Sequence, residues 1–218
     1  MYFASRLQAG RVLASQLVKK YRFENCAVVA LNDGGVMVGA QIARQLHCVL
    51  MMLLSAEIDL PREPDAIAGI TSEGNFSYNQ KYSSGEIEEM VSEYHGVIEQ
   101  EKLTQLHKMN ELLGSGGMVR KDLLKAHNVI LVTDGFKNSF LLDMAMEFLK
   151  PINIERLIVA TPLASVQAVD RMHIMADEIV CLDVLEELTD VNHYYDKQDI
   201  PDHETVVKTI EDIVLHWK

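Results

Sequence analysis

Two short segments combine glycine with acidic and amide side chains, a composition suited to ligand binding where a strand ends. The first is Asn32-Asp33-Gly34-Gly35 and the second is Thr133-Asp134-Gly135. The second segment is followed by Lys137, Asn138 and Ser139, whose ammonium, amide and hydroxyl groups could bind an anion where the next helix begins. These residues are therefore the candidate ligand contacts.

Each acid in these segments also has a purely structural interpretation. Asp134 is either a carboxylate that contacts a ligand or metal ion, or a turn residue that caps the following helix. Asp33, next to two glycines, is most simply part of a tight strand-to-helix turn, with ligand contact as the alternative. A further alternative is that Asp33, Glu57 and Asp134 come together as an acidic site for a divalent cation.

Five apolar runs predict the strands that would position these segments. They cover residues 26–31, 49–54, 128–133, 154–160 and 178–182, the fourth ending before Pro162. Strands that are apolar on both faces belong to a parallel sheet covered by helices, so we expect a doubly wound α/β fold with a mainly parallel five-stranded sheet. Ligands bind at the carboxyl ends of such strands, where both segments lie. Helical periodicity predicts helices over 3–21, 34–46, 139–149, 164–173 and 206–217.

The organisation expected is a single domain over residues 1–218. Its core comprises 22–54 and 126–182, a hood is inserted at 55–125, and a C-terminal segment covers 183–218. Within the hood we predict a hairpin of 67–71 with 76–78, and a long amphipathic helix over 86–113, weakened in the middle by Gly96. The apolar stripe of this helix packs on the core or on a twin subunit, and we expect a homodimer.

Composition and charge exclude several classes of protein. Of the 218 residues 48% are hydrophobic, which is enough for a buried core, and no run approaches the length of a membrane span. Arg6 and Arg11 interrupt the stretch where a signal peptide would be apolar. The 20 Lys and Arg against 32 Asp and Glu give a net charge of −12, which disfavours nucleic acid as a partner. Three widely spaced cysteines predict free thiols in a cytoplasmic protein.

The chain resembles the type I phosphoribosyltransferases, which use phosphoribosyl pyrophosphate (PRPP) and Mg²⁺. Residues 3–14 are similar to the opening helix of a bacterial subgroup of this family, and residues 61–70 resemble its Pro…Glu…Ile-Gly-Ala segment. Residues 30–36 fall where the family has a Pro-Arg-Gly-Gly pyrophosphate loop, and 129–135 on its PRPP signature. The resemblance implies that Asp134 is the ribose or Mg²⁺ carboxylate. It also implies that Tyr194 and Tyr195 lie near the base, where they either stack on it or pack in the core.

The differences from the family motif all weaken anion binding. The family has two acids before its glycine, and here the first is Thr133. The phosphate loop reads Phe136-Lys137-Asn138-Ser139-Phe140, so we expect two aromatic rings where small residues should admit a phosphate. Asp33 replaces the family's arginine, and Glu57 stands where the subgroup usually has lysine. We therefore interpret the PRPP motif as degenerate.

Three functions remain open at this point. The first is a phosphoribosyltransferase-like protein that is catalytically impaired, or a non-catalytic binding or assembly module for a small phosphorylated ligand. The second is an active, Mg²⁺-dependent phosphoribosyltransferase in which Lys137, Asn138 and Ser139 hold the phosphate. The third is a receiver-like signalling domain, with an acidic pair after the first strand and a phospho-acceptor Asp134 after the third, although the long hood does not suit that class.

Overall fold

The secondary structure of the computed structural model is given for residues 1–63, 65–113 and 119–215, which are the residues that it describes. The strands are β1 Cys26–Ala30, β2 Val49–Met52, β3 Ser55–Ile58, β4 Ala68–Thr71, β5 Phe76–Tyr78, β6 Asn128–Val132, β7 Arg156–Ser165 and β8 Glu178–Leu185. The helices are α1 Arg6–Tyr21, α2 Asp33–Leu46, α3 Ser84–Leu113, α4 Phe140–Leu149, α5 Val166–Met175 and α6 His203–Leu215. Over these described ranges, no helix has the length and apolar character needed to cross a membrane.

The central sheet has five strands in the order β2-β1-β6-β7-β8, and every neighbouring pair is parallel. The prediction of a parallel five-stranded sheet is confirmed. Chain order reverses between β1 and β6, because β2 follows β1 on one side and β6 lies on the other. This reversal is the topological switch point, where ligands bind in sheets of this kind.

Helices cover both faces of this sheet, as the apolar strands predict. On one face α1, α2 and α6 pack over the sheet through side chains such as Leu13, Ile42 and Val206. On the other face α4 and α5 pack through Phe148 and Met172. The two clusters give the sheet a close-packed apolar core on each side.

The hood contains a second, antiparallel sheet in the order β3-β4-β5, packed against α3. The predicted hairpin is present as β4 and β5. Strand β3 was not predicted, because it has only four residues and two of them, Ser55 and Glu57, are polar. The long helix is also present as α3, with non-helical dihedral angles at Tyr94, two residues before Gly96.

The boundary between β7 and α5 differs from the one predicted. Strand β7 does not end before Pro162 but continues to Ser165, with Thr161 and Leu163 paired on either side of the proline. The pairing with β8 skips Pro162 and the residue opposite it, Leu182, and keeps the same register on both sides, because proline has no N–H to donate. Helix α5 consequently begins after Ser165, whose side chain accepts from the N–H of Ala168. The predicted last residues of the terminal helix, including Trp217, lie outside the described part of the chain.

Candidate functional site

The two glycine-containing segments meet at the carboxyl ends of β1 and β6. Asn32 follows β1 and caps helix α2, since its Oδ1 accepts from the N–H of Gly35 at 2.6 Å. Asp134 follows β6 and lies beside this cap, because Asn32 Nδ2 donates to Asp134 Oδ1 at 2.9 Å. The sequence-predicted residues Asp33, Gly34, Gly35, Thr133, Asp134 and Gly135 are therefore neighbours in the fold.

Both carboxylate oxygens of Asp134 are occupied by side chains of the chain itself. Oδ2 accepts from Arg6 Nε at 2.7 Å, and Oδ1 accepts from Asn32 Nδ2 and more weakly from Thr133 Oγ1 at 3.4 Å. Asp134 is only 4% exposed. Its negative charge is thus neutralised within the protein, and a charged pair in this environment is held tightly because either partner alone would be a buried, unpaired ion.

Arg6 is fully buried at the start of helix α1, and its guanidinium has several partners. Besides Asp134, it donates from Nη2 to Asn192 Oδ1 at 2.5 Å and from Nη1 to Asp199 Oδ1 at 3.5 Å. The guanidinium carbon also lies 4.3 Å from the centre of the Tyr195 ring. Arg6 therefore joins the switch point to the C-terminal segment.

Gly34 is required for this close approach of α2 to Asp134. A Cβ atom at Gly34 would lie 2.2 Å from Asp134 Oδ2, and one at Gly35 would lie 2.7 Å from the carbonyl oxygen of Val132. No real side chain fits at such distances. In this structure the double glycine admits the chain's own carboxylate rather than an open space for a ligand.

The C-terminal segment covers the end of β6. A methyl group of Val191 lies 2.8 Å from where a Cβ atom on Gly135 would stand. Leu188, Val191 and Tyr195 are buried with Phe3 in one cluster. The hydroxyl of Tyr195 donates to the carbonyl oxygen of Asp134 at 2.7 Å, and burial, followed by the charge of Asp134, raises the pKa of Tyr195.

The two tyrosines predicted near the base differ in their surroundings. The ring of Tyr195 lies in the cluster just described, stacked with Phe3 and covered by Arg6, and it presents no open face. Tyr194 is partly exposed and stacks on Tyr2 at a centroid separation of 5.4 Å. Of the two, only Tyr194 retains surface for a further contact.

Asp33 is also paired with the C-terminal segment. Its Oδ1 lies 2.9 Å from His203 Nδ1 at the start of α6, while His203 Nε2 is buried and has no partner within the ranges described. Asp33 thus lies in the turn that begins α2, and its carboxylate faces α6.

The aromatic rings of the loop that follows Gly135 do not occupy the space where the family binds a phosphate, contrary to the expectation from the sequence. The backbone of Phe136 pairs with Leu163 and Ser165, and its side chain is buried in the α4–α5 core. Phe140 is buried with Ala66 and Met144 under the hood. The loop is therefore not plugged by rings, and its outer surface consists of polar side chains.

Lys137 and Asn138 are exposed and Ser139 is half-buried. Asn138 and Ser139 line a cavity of about 320 Å³ between the hood, α4 and α5, together with Lys81, Asp143 and Arg171. None of the described residues that line this cavity belongs to the Asp33 or Asp134 segments. This cavity therefore combines Asn138 and Ser139 with side chains of the hood and of α5.

The rim of the hood near the loop is acidic. Loss of water around the side chain, followed by the charge of Asp59, raises the pKa of Glu57, and Lys137 opposes this shift. Asp65 adds further negative charge. Lys137 is therefore close enough to Glu57 for their charges to interact.

The residues present do not fit the Mg²⁺ implied by the resemblance. The oxygens of Asp134 are taken by Arg6 and Asn32, and a threonine stands where the family has its second acid. Across the described ranges, no three His, Cys, Asp or Glu side chains come together in a way that could hold a metal ion. The alternative of a cation bound by Asp33, Glu57 and Asp134 is therefore wrong for this arrangement.

Sequence reasoning missed Arg6 as a member of the site. From the sequence, Arg6 is a charge that interrupts an apolar stretch and belongs to the segment that resembles the family's opening helix, but no buried partner is predicted for it. The available signal was its position, because Arg6 occupies the same helical stripe as the buried residues Gly10, Leu13 and Leu17. A lone arginine on a buried stripe requires a buried acid. Asn192, Asp199 and His203 carried no comparable signal.

Comparisons with known proteins agree with this architecture. The family model described as "Phosphoribosyl transferase domain" matches residues 3–196. Two Mycobacterium tuberculosis proteins, "Putative phosphoribosyl transferase MT0597" and "Putative phosphoribosyl transferase Rv0571c", are each 25% identical over 181 residues. That match covers 83% of this chain and 40% of each relative, so the chain spans well under half the length of these curated proteins.

A solved structure extends the likeness to the whole fold. The crystal structure of TT1426 from Thermus thermophilus is 25% identical, covers 100% of this chain and 99% of its own, and superimposes with a TM-score of 0.73. The family model also spans the strands, the switch point and the loop together, which argues against the receiver-like alternative. On the strength of that match the chain belongs to the phosphoribosyl transferase domain family.

Proposed function

We propose that this protein is a phosphoribosyltransferase-like binding or assembly module whose PRPP site has been replaced by a closed structural junction. The observation that carries the proposal is the carboxylate of Asp134, with Arg6 on one oxygen and Asn32 on the other. In the family this acid orders the ribose hydroxyls and the metal ion. Here it orders helix α1 and the C-terminal segment instead.

Steric closure supports the proposal independently of charge. Val191 occupies the space above Gly135, and Tyr195 is bonded to the carbonyl oxygen of Asp134. A sugar placed over Gly135 would have to displace this buried apolar cluster. Because burying one such side chain contributes about 1.5–3 kcal/mol, displacement of several would consume most of the binding free energy of a small ligand.

The charges around residues 32–35, where the family binds pyrophosphate, also support the loss of the PRPP site. Asp33 is an acid where the family has an arginine, and Glu57 and Asp59 lie on the rim near the loop. Two unit charges 4 Å apart interact by about 4 kcal/mol near a protein surface. Reversal of the sign at two positions around a polyanion therefore lowers its affinity by several powers of ten, since 1.4 kcal/mol is about tenfold.

One observation keeps the active alternative worth testing. Lys137 and Asn138 are exposed and Ser139 is half-buried, so the loop still presents an ammonium, an amide and a hydroxyl. An active phosphoribosyltransferase would use these three groups to hold the 5′-phosphate. It would transfer the ribosyl group from PRPP to a base with release of pyrophosphate, in the presence of Mg²⁺.

Calorimetric titration of the full chain with PRPP and MgCl₂ tests the proposal, with pyrophosphate release measured against a panel of nucleobases. We expect no saturable heat up to about 1 mM PRPP, which corresponds to a binding free energy weaker than about −4 kcal/mol, and no pyrophosphate release. A catalytically competent member of the family serves as the positive control. Micromolar binding that Lys137→Ala abolishes, or turnover with any base, would establish the active alternative.

A further inference from the structure

We infer that the cavity between the hood, α4 and α5 is a binding site for an uncharged, polyhydroxylated molecule of about the size of a monosaccharide. The cavity has a volume of about 320 Å³, which falls at the lower end of the range for small-molecule sites. Side chains from the hood, from the beginning of α4 and from α5 line it together. Sites for small molecules commonly form where separate elements converge in this way.

The polar centre of the cavity is the ion pair of Asp143 on α4 with Arg171 on α5. Arg171 Nε donates to Asp143 Oδ1 at 2.8 Å, and Arg171 Nη2 donates to Gln80 Oε1 in the hood at 2.6 Å. The guanidinium of Arg171 thus connects all three walls of the cavity. Its Nη1 donates to no acceptor in the described part of the chain, so one donor is left for a ligand.

Asp143 provides the matching acceptor. Its side chain is only 7% exposed, and burial raises its pKa although Arg171 opposes the shift. Its second oxygen, Oδ2, accepts no hydrogen bond from the residues described, whereas buried polar atoms normally have a partner. A hydroxyl group supplied by a ligand would give this oxygen the donor that the chain does not.

The charges that line the cavity largely cancel. Arg171 is paired with Asp143, and Lys81 is paired with Asp65. Asp170 is exposed and has no ion pair within the described ranges. Because both cations already have a carboxylate, a phosphate would find no free counter-charge here and would be repelled by Asp170. The charges therefore favour an uncharged ligand over an anion.

The uncharged polar groups of the lining combine donors with acceptors. Gln80 and Asn138 each use the side-chain oxygen within the chain, so their NH₂ groups are left as donors. Ser139 precedes α4 and makes no side-chain capping bond, and Gln167 is exposed at the beginning of α5. A serine hydroxyl or a glutamine amide can donate and accept. Ligand hydroxyl groups do the same, so a molecule with several of them matches this mixture.

An apolar side chain at the end of α5 completes the lining. Ile174 is 76% exposed although it lines the cavity. A cyclic sugar or polyol carries C–H groups on its faces and hydroxyl groups around its edge. Such a ring can cover Ile174 with one face, which removes apolar surface from water, while its edge meets the polar groups.

The site differs from the loop position where the family binds a phosphate. Asn138 and Ser139 belong to that loop, whereas Gln80, Asp143 and Arg171 lie outside it. The inference does not depend on whether the switch point binds PRPP, so it stands or falls separately from the proposed function. For this cavity it replaces the phosphorylated ligand expected from the sequence with an uncharged one.

NMR titration of the full chain tests the site with D-xylose, D-glucose, myo-inositol and inorganic phosphate as probes. At least one of the three polyols should shift the amide signals of residues 138–143 and 167–174 saturably, with a Kd of about 1 mM or tighter. Inorganic phosphate should shift none of these signals. The amides of residues 32–35 and 133–135 should not move with any polyol, which distinguishes this site from the switch point.

Arg171→Gln removes the guanidinium at the centre of the site. It should weaken binding of the polyol about tenfold or more, because a hydrogen bond from a charged group is lost. Arg120→Gln is the matched control, since Arg120 is exposed and pairs with the exposed Asp122. It should leave the affinity unchanged.

Gln167→Ala keeps the test decisive even if Arg171→Gln does not fold, because Gln167 is exposed. It should weaken binding about threefold to tenfold and leave the midpoint of thermal unfolding unchanged. Saturable binding of no polyol, or an affinity that Gln167→Ala leaves intact, would overturn the inference. Binding of phosphate in place of the polyols would also overturn it, and would favour the active alternative in which Ser139 helps to hold a phosphate.

Discussion

Arg6 and Asp134 form a buried ion pair between the first helix and the end of the third core strand, with 2.7 Å between Arg6 Nε and Asp134 Oδ2. The side chains are 1% and 5% exposed. Residues 128 positions apart are thereby fixed to each other at the switch point. A position that the family motif uses for ligand chemistry serves here as the centre of a structural network.

Removing the cation from this pair should be strongly destabilising. In Arg6→Met the carboxylate of Asp134 stays buried without its counter-ion, and breaking such a pair costs about 3–5 kcal/mol. Urea unfolding at neutral pH measures the loss as a fall in the free energy of unfolding. The double variant Arg6→Met with Asp134→Asn should recover part of it, because the unpaired charge is removed as well.

Lys19→Met is the matched control for that experiment, since Lys19 is exposed near the other end of the same helix. Its effect should stay within about 0.5 kcal/mol, as for most surface substitutions. Two results would show that the pair is not coupled as described. One is an Arg6→Met variant that is no more destabilised than Lys19→Met. The other is a double variant whose loss of unfolding free energy equals the sum of the losses in Arg6→Met and Asp134→Asn.

The fold was largely predictable because apolar runs and helical periodicity report burial directly. Strands such as 26–31 and 128–133 are apolar at nearly every position, which indicates cover on both faces. The predictions that failed concern where one strand ends and whether a short strand is present. Pro162 predicts the end of a strand, yet tertiary pairing with β8 keeps β7 extended through it. Strand β3 was missed because it is short and half of its residues are polar, so no apolar run marks it.

The site was only half predictable, for a physical reason. Sequence motifs locate residues at strand ends, so the proximity of the Asn32 and Thr133 segments followed from the topology. The partners that neutralise Asp134 come from distant parts of the chain, and no local pattern reports a contact between Arg6 and residue 134. Phe136 illustrates the same limit, because its type suggested a plug while its strand register places the ring in the core.

Gly34→Ala should disturb the same network sterically. The new methyl group would lie 2.2 Å from Asp134 Oδ2, so either helix α2 or the carboxylate must move. Overpacking of this kind costs about 1–3 kcal/mol. Gly96→Ala is the paired control, because a Cβ there meets nothing within 4 Å and alanine favours the helix by about 0.5–1 kcal/mol. The midpoint temperature of thermal unfolding should therefore fall for Gly34→Ala and rise for Gly96→Ala. A shift of the same sign in both variants would contradict this account.

The three cysteines should react slowly with thiol reagents while the protein is folded. Burial raises the pKa of Cys26 and of Cys181 to about 11 from an ordinary value of 9.0, and burial also raises the pKa of Cys48. The thiolate is the reactive form, so two units of pKa reduce its population, and the labelling rate, about 100-fold at pH 8. Reaction with an aromatic disulfide, followed by absorbance, measures this rate. All three thiols should react at once in guanidinium chloride, and fast labelling of the native chain would contradict their burial.

Asp143→Asn should change the pH dependence of stability. Burial raises the pKa of Asp143 even though Arg171 Nε donates to it at 2.8 Å. A carboxyl group whose folded pKa lies above its unfolded value contributes stability that is complete below the unfolded pKa and is lost as the pH rises through the folded one. Urea unfolding midpoints measured at increasing pH, starting from about pH 3.5, should therefore show the wild type losing stability relative to Asp143→Asn.

Asp202→Asn provides a control of opposite sign, because hydrogen bonds from Thr205 lower the pKa of Asp202. There the wild type should lose its advantage as the pH falls, and parallel curves for both variants would refute the assignment.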